Sequence, residues 1–422
     1  MPHQVALTIA AQVVQGHTEK LQQLLEDLGP RPESLPFGRI ANLHFARLFV
    51  LPETQDLSGA PIPATLIFLS DVDSPVAAFL DALVDNVATT LDQILGHCDG
   101  YPTAEGLTRQ ARLAFLRNRI IPVATAYMNR VGRSAKQIRQ EAGLRRAIEG
   151  YLDRPGHDWS GRSPIEIRSA VREFVFNEES LGWAHKPASR PELWWRLKEG
   201  GHAILLPLVL ILLLPLVLIG LAVWVVLLRI HERTEDPTRD VADPADLGAL
   251  AAMEDHAAMN PFTLVGFVKP TRFRRLTLQA VLGLVSYGVR HVYSHGRLTG
   301  IGTIHFARWV FIDGKRRMFF ASNYDGSRES YMDDFIDKLA RGLNAVGSNG
   351  LGYPKTKWLI LEGARDAEAF KDFLRTHQLP TPIWYSAYPG LSAANIQNNT
   401  RIRAGLYGHM TSKQAQEWLR RL

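Results

Sequence analysis

Cysteine is nearly absent, with Cys98 the single thiol in 422 residues. One thiol excludes an internal disulfide, a CxxC redox pair and a multi-thiolate metal site. No Walker loop, GxSxG, HExxH or GxGxxG after a strand occurs either, so the common catalytic signatures give no reaction. The opening MPHQVALTIAAQVVQG has no basic n-region and too polar a middle for a secretory signal.

Charge is missing from Gly200 to Leu228, 29 residues between Glu199 and Arg229. As a helix this run would measure roughly 40 Å, more than the ~30 Å of hydrocarbon in a bilayer. It predicts membrane insertion, with Trp194, Trp195, Arg196 and Lys198 at one edge and Arg229 and Arg233 at the other. Pro207 and Pro215 favour kinks and leave two readings open. One is a re-entrant hairpin bent near Pro215, with both flanks on the cytoplasmic side; the other is a tilted single span.

The chain carries a formal charge of +6 and a pI near 9.4. Arg109 to Arg146 holds ten Lys or Arg against one acid, Glu141. Beside a membrane segment, this stretch is expected to meet anionic lipid rather than nucleic acid, or else to form a solvated basic face. Self-association is left open.

Periodicity gives strand, helix, strand, strand, helix in the first 100 residues, and the same order returns after the apolar run. His44-Phe45-Ala46-Arg47 recurs as His305-Phe306-Ala307-Arg308, Ser70 and Asp73 as Ser322 and Asp325, and Gly100-Tyr101-Pro102 as Gly352-Tyr353-Pro354. Phe115 to Ile148 aligns without a gap on Phe373 to Leu406 with ten identities. The chain therefore reads as an internal duplication. The expected class is α+β: two ferredoxin-like βαββαβ repeats, over 1–155 and 261–422, with KTKWLILEG as the fourth strand of the second. Between them come a helical linker (156–199) opened by a Ser163–Glu166 capping box, the membrane segment (200–230) and an acidic linker (231–260).

This pattern resembles the dimeric α/β-barrel superfamily, which implies a pseudo-dimeric barrel with the two sheets packed together. Ser322-Asn323-Tyr324-Asp325-Gly326 further resembles, in its xxDG part, the GxxDG signature of dye-decolourising peroxidases. That resemblance implies a haem-dependent oxidoreductase working near the bilayer on a lipophilic substrate. Asp325, Arg308 and Tyr324 would be its catalytic residues, His305 the iron ligand, and Asn323 and Arg403 further cofactor contacts. His256, His291, His295 and His409 are other ligand candidates. Against this, Asp325 suits a helix N-cap, and His305 and Arg308, three apart on a strand, face opposite sides unless a bulge intervenes. The second copy adds a polar, aromatic candidate site of Tyr385, Asn395, Asn398 and Asn399, where the first copy has Gln137, Gln140 and Glu141 in place of the asparagines. The alternative is a non-catalytic membrane-bound module that binds lipid or a partner. Leu276 to Val289, uncharged between arginines, would then lie in the interface or be buried on its own sheet. Residues 254–408 also resemble a bacterial membrane-anchored family, which implies no particular activity.

Overall fold

The alternating segments of the first half become three nine-residue strands, β1 (Gln4–Gln12), β2 (Leu43–Leu51) and β3 (Thr65–Asp73). Two helices alternate with them, α1 (Thr18–Leu28) and α2 (Val76–Leu95). After α3 (Arg109–Asn118) come a short strand, β4 (Thr125–Met128), and α4 (Ala135–Leu152). The expected capping box opens α5 (Pro164–Asn177), with Ser163 and Glu166 each satisfying the other's backbone. Two apolar helices follow, α6 (Leu193–Leu212) and α7 (Leu214–Thr234).

The second half repeats the order with β5 (Met259–Phe267), α8 (Arg272–His291), β6 (Ile304–Ile312) and β7 (Arg317–Asp325). Its second helix is interrupted: α9 (Arg328–Asp334), a π-helical turn (Phe335–Leu339) and α10 (Ala340–Gly347). The chain closes with α11 (Ala367–His377), β8 (Ile383–Ser386), α12 (Ala393–Ala404) and α13 (Ser412–Leu419). This computed structural model describes residues 3–187, 193–235, 257–293 and 298–422, with Gly248, Leu250 and Gly296. Most of the acidic linker, His256 and His295 lie outside them.

The class is α+β, with two four-stranded antiparallel sheets ordered β1-β3-β2-β8 and β4-β6-β7-β5. Each half supplies three strands, and the fourth comes from the other half. β8 pairs with β2 through Trp384↔Arg47 and Tyr385↔Ala46, and β4 pairs with β6 through Ala126↔Arg308 and Tyr127↔Ala307. The expectation for KTKWLILEG is therefore corrected. It forms a two-residue hairpin, Thr356–Lys357 on Leu361–Glu362, because Trp358 and Leu359 adopt left-handed backbone with φ 56° and 66°. That turn aims two N–H groups at the buried Glu232 carboxylate of α7, at 3.1 and 2.7 Å. Glycine is required where β8 arrives, since a Cβ on Gly29 would stand 2.1 Å from the Pro382 carbonyl oxygen.

The sheets pack face to face, with Phe49, Ile67 and Leu69 of one against Val310, Phe319 and Ala321 of the other. The outer face of the first is covered by α1 and α2, and that of the second by α8 and α9–α10. A helical layer of α4, α5, α12 and α13 closes one end around Ile148, Val171, Ile402 and Trp418.

Both ends of the apolar insert sit on α8. At one end Glu199 pairs with Arg290 at 2.5 Å, His202 meets His291 at 2.8 Å and Tyr287 donates to the Ala203 carbonyl at 2.7 Å. At the other, Trp224 donates to Thr277 at 3.0 Å, His231 stacks on Phe273, and Glu235 takes Arg274 and Lys269 at 2.7 and 2.8 Å. A straight helix from Glu199 to Glu235 would be about 54 Å long, yet Arg274 and Arg290 lie only about 24 Å apart along α8. The insert must bend, and it breaks at Leu213. Its tip is bare, with Leu212 78% and Leu216 67% exposed.

Glu235 fixes the second foot. Burial works to raise its carboxyl, but hydrogen bonds from Arg274 and Lys269 outweigh this and hold it below the usual range. Because the folded state favours the charged form, the stabilisation is full above the ordinary value of about 4.3 and disappears as pH falls through the lower folded value. Glu235→Gln should therefore unfold at lower temperature than the unmodified chain at pH 6, and thermal melts of the two should converge as pH drops below about 4.

Candidate functional site

The repeated His-Phe-Ala-Arg stretches meet between the sheets. A bulge falls at the histidine in both copies, between Leu43 and Phe45 and between Ile304 and Phe306. It turns His and Arg to the same inner side, against the simple alternation expected of a strand. His44 binds Asp73 at 3.1 Å and His305 binds Asp325 at 2.6 Å. The second carboxylate oxygen of each aspartate caps a distant helix, Asp73 accepting from Ala135 N at 3.0 Å and Asp325 from Ala393 N at 2.8 Å. The helix that directly follows Asp325 is capped by Ser327 instead. Asp325 is thus a cap, on α12 rather than on α9.

The two arginines cross the interface in opposite directions. Arg47 donates to the Phe262 carbonyl at 2.9 Å, the Ser322 carbonyl at 2.6 Å and Asn323 Oδ1 at 2.5 Å. Arg308 donates to the Leu7 carbonyl at 2.6 Å and to Asp71, which also accepts from Asn323. All are almost fully buried. Burial, then the like charge of Arg308, pulls Arg47 down to about 9, and it stays cationic at neutral pH.

The other sequence-derived candidates scatter. Tyr324 is buried and stacked on Tyr331, with centroids 3.9 Å apart. Arg403 binds Glu141 at 3.3 Å and the Lys186 carbonyl at 2.8 Å, in the helical layer. Asn398 ties α12 to the Arg421 carbonyl at 2.7 Å, Asn395 is exposed and Asn399 is buried. Tyr385 is half-buried on the opposite sheet edge, against Phe37. His291 is engaged with His202, and His409 is exposed. The basic stretch is partly neutralised: Arg109 pairs with Asp81 and Asp85, Arg112 with Asp92 and Arg145 with Glu149, and Arg133 is buried, whereas Arg117, Arg130, Lys136 and Arg146 are exposed.

Haem does not fit beside His305. The free space there is about 20 Å³, against the ~300–1,000 Å³ of sites that enclose a cofactor. Arg308 is also turned away into the sheet interface, where Asp71 neutralises it. Among the described residues no group of three His, Cys, Asp or Glu is placed to hold a metal ion.

The space lies instead on the outer face of the second sheet. A cavity of about 810 Å³ opens between α8 and the interrupted α9–α10 helix. Val281, Val285, Trp309, Phe320, Phe335 and Leu343 line it, with Lys338, Arg341 and Arg365 as its cations and Asp337 as its acid. The π-helical turn forms part of its wall, a widening that recurs at functional sites. In the first copy the corresponding helix is an unbroken α2, burying Phe79, Leu83, Val87 and Leu91 in one continuous core with Leu21 and Leu25 of the short α1. Sequence reasoning missed the cavity. The available signal was the extra length and apolarity of the helix over Leu276 to Val289.

Comparisons with family models, curated proteins and solved structures found no match. The functional reading therefore rests on geometry.

Removing one partner of the buried cross-sheet pair leaves the other charge uncompensated. Arg308→Met should cost about 3–5 kcal/mol in denaturant unfolding, and Arg308→Met with Asp71→Leu should recover most of that loss. Equal instability of the single and double variants would show that the pair does not hold the sheets together.

Proposed function

We propose that the protein is a non-catalytic module attached to one leaflet of a membrane, binding lipid there. The observation that carries the reading is the seating of both feet of the apolar insert on one helix, α8. The shorter leg, Glu199 to Leu213, is about 21 Å, so its tip cannot stand further than that from its anchor. That is less than the ~30 Å of hydrocarbon, and a monotopic wedge follows. Of the two legs, α7 alone is long and apolar enough to cross by itself. As a spanning helix it would have to leave α8, breaking the contacts of Trp224, His231 and Glu235.

In this reading the halves are the two ferredoxin-like units of a pseudo-dimeric α/β barrel, supported by the face-to-face sheets and by the β1-β3-β2 order that each half supplies. The bases at the flanks, Arg196, Lys198, Arg229 and Arg233, would face anionic head groups from the cytoplasmic side. The haem-peroxidase reading is set aside for want of space at His305.

Orientation and depth can be read separately. The native Cys98 is buried and its thiol is pushed up to about 12, so it stays silent to maleimides. Gln15→Cys and Lys413→Cys, both exposed positions, should be labelled by an impermeant maleimide from the same side of sealed vesicles. Labelling from opposite sides overturns the proposal. Leu212→Lys at the tip should weaken vesicle binding by at least about tenfold while leaving the melting curve of the folded domains unchanged.

A further inference from the structure

We infer that the cavity behind α8 receives a single-chain amphiphile with an anionic head group, drawn from the membrane that the insert enters. The inference rests on the membrane reading above and specifies what that site takes. The volume, about 810 Å³, falls within the range that encloses a small organic ligand, and the deep lining is hydrocarbon and aromatic. The charged groups of the lining are mostly cationic. Lys338 is matched by Asp334 and Asp337 offsets one further charge, so the exposed Arg341 and Arg365 leave a net excess of one positive charge beside the cavity. An apolar tail with an acidic end is complementary to that distribution, whereas a neutral or cationic head is not.

Location gives the second line of argument. The cavity is bracketed by both feet of the insert. Gly288, on its wall, adjoins Tyr287, which holds Ala203 of α6. Leu359, also on its wall, donates its N–H to Glu232 of α7 at 2.7 Å. Leu284, at the lining, is 63% exposed and Leu276, two turns before it, 66%, so an apolar path leads from the bilayer-facing side of α8 to the opening. A tail can slide along that path without crossing water.

Trp309 lines the cavity and supplies a local probe. Dibromostearate should quench the full-length protein in phosphatidylcholine nanodiscs in a saturable manner, and Trp309→Phe should remove the saturable component. Gly288→Leu adds a side chain at the lining in ordinary helical backbone, where leucine is the better helix former, and should abolish saturation with vesicle binding intact. Shortening an unbrominated competitor should weaken it about fourfold per methylene, or about 0.8 kcal/mol. Arg341→Gln with Arg365→Gln should reduce the affinity for stearate about tenfold and leave that for stearyl alcohol unchanged. Quenching that never saturates, or that survives unchanged in Trp309→Phe, overturns the inference. If the protein still sediments with vesicles in that case, the membrane reading stands without it; if sedimentation is also lost in the unmodified chain, both fail.

Discussion

The contact between the two sheets is the constraint from which the rest follows. It is apolar over most of its area, with Phe49, Ile67, Val310 and Phe319 at its centre, but its register is set by charge. Arg47 and Arg308 each reach across to backbone carbonyls of the opposite sheet and share the Asn323–Asp71 pair between them. A purely apolar interface of this kind tolerates sliding; buried guanidinium groups do not, because each donor left unmatched costs about 1–3 kcal/mol or more. The histidine bulges place those arginines, and the aspartates that hold the histidines also cap α4 and α12. One repeated tetrapeptide thus fixes strand, sheet pairing and the start of the helical layer in each copy.

Exchange of edge strands compounds the effect. Because β4 completes the second sheet and β8 the first, neither sheet reaches four strands without the other half. Separation of the halves by a bilayer would require both exchanged strands and both crossing arginines to be given up. The insert between the halves leaves α8 beside Arg290 and returns to it beside Arg274.

Much of this was legible in the sequence. The strands of both halves, the apolar run, the capping box at Ser163 and the repeated His-Phe-Ala-Arg motif could be read because each depends on local periodicity or on recurrence. The exchange of β4 and β8 could not. Each is four residues long, and nothing in TAYM or IWYS encodes which edge it will join, a choice made by tertiary contact. WLILEG shows the opposite failure: its composition favours a strand, but the need to satisfy the buried Glu232 carboxylate turns Trp358 and Leu359 left-handed. The Asp325 cap was recognisable in kind but not in target, because its helix lies 68 residues further on. The scattering of Asn395, Asn398 and Asn399 has the same origin. A shared helical face says which residues stand together, not whether a helix, solvent or a cavity stands opposite.

The two halves differ most on their outer faces. Residues on the inner faces answer to a partner in the other copy, so a change at Arg47 disturbs carbonyls of the second sheet and a change at Arg308 those of the first. The outer faces carry no such reciprocal demand. The first is filled by a short amphipathic α1 and a continuous α2. In the second, α8 is 20 residues long against the 11 of α1, and its partner helix is widened by a π-helical turn. The longer helix carries the contacts to both of the insert's feet. The same widening that keeps α9–α10 from closing onto the sheet leaves space between them. The seat of the insert's feet and the cavity therefore both belong to one outer layer, that of α8 and α9–α10.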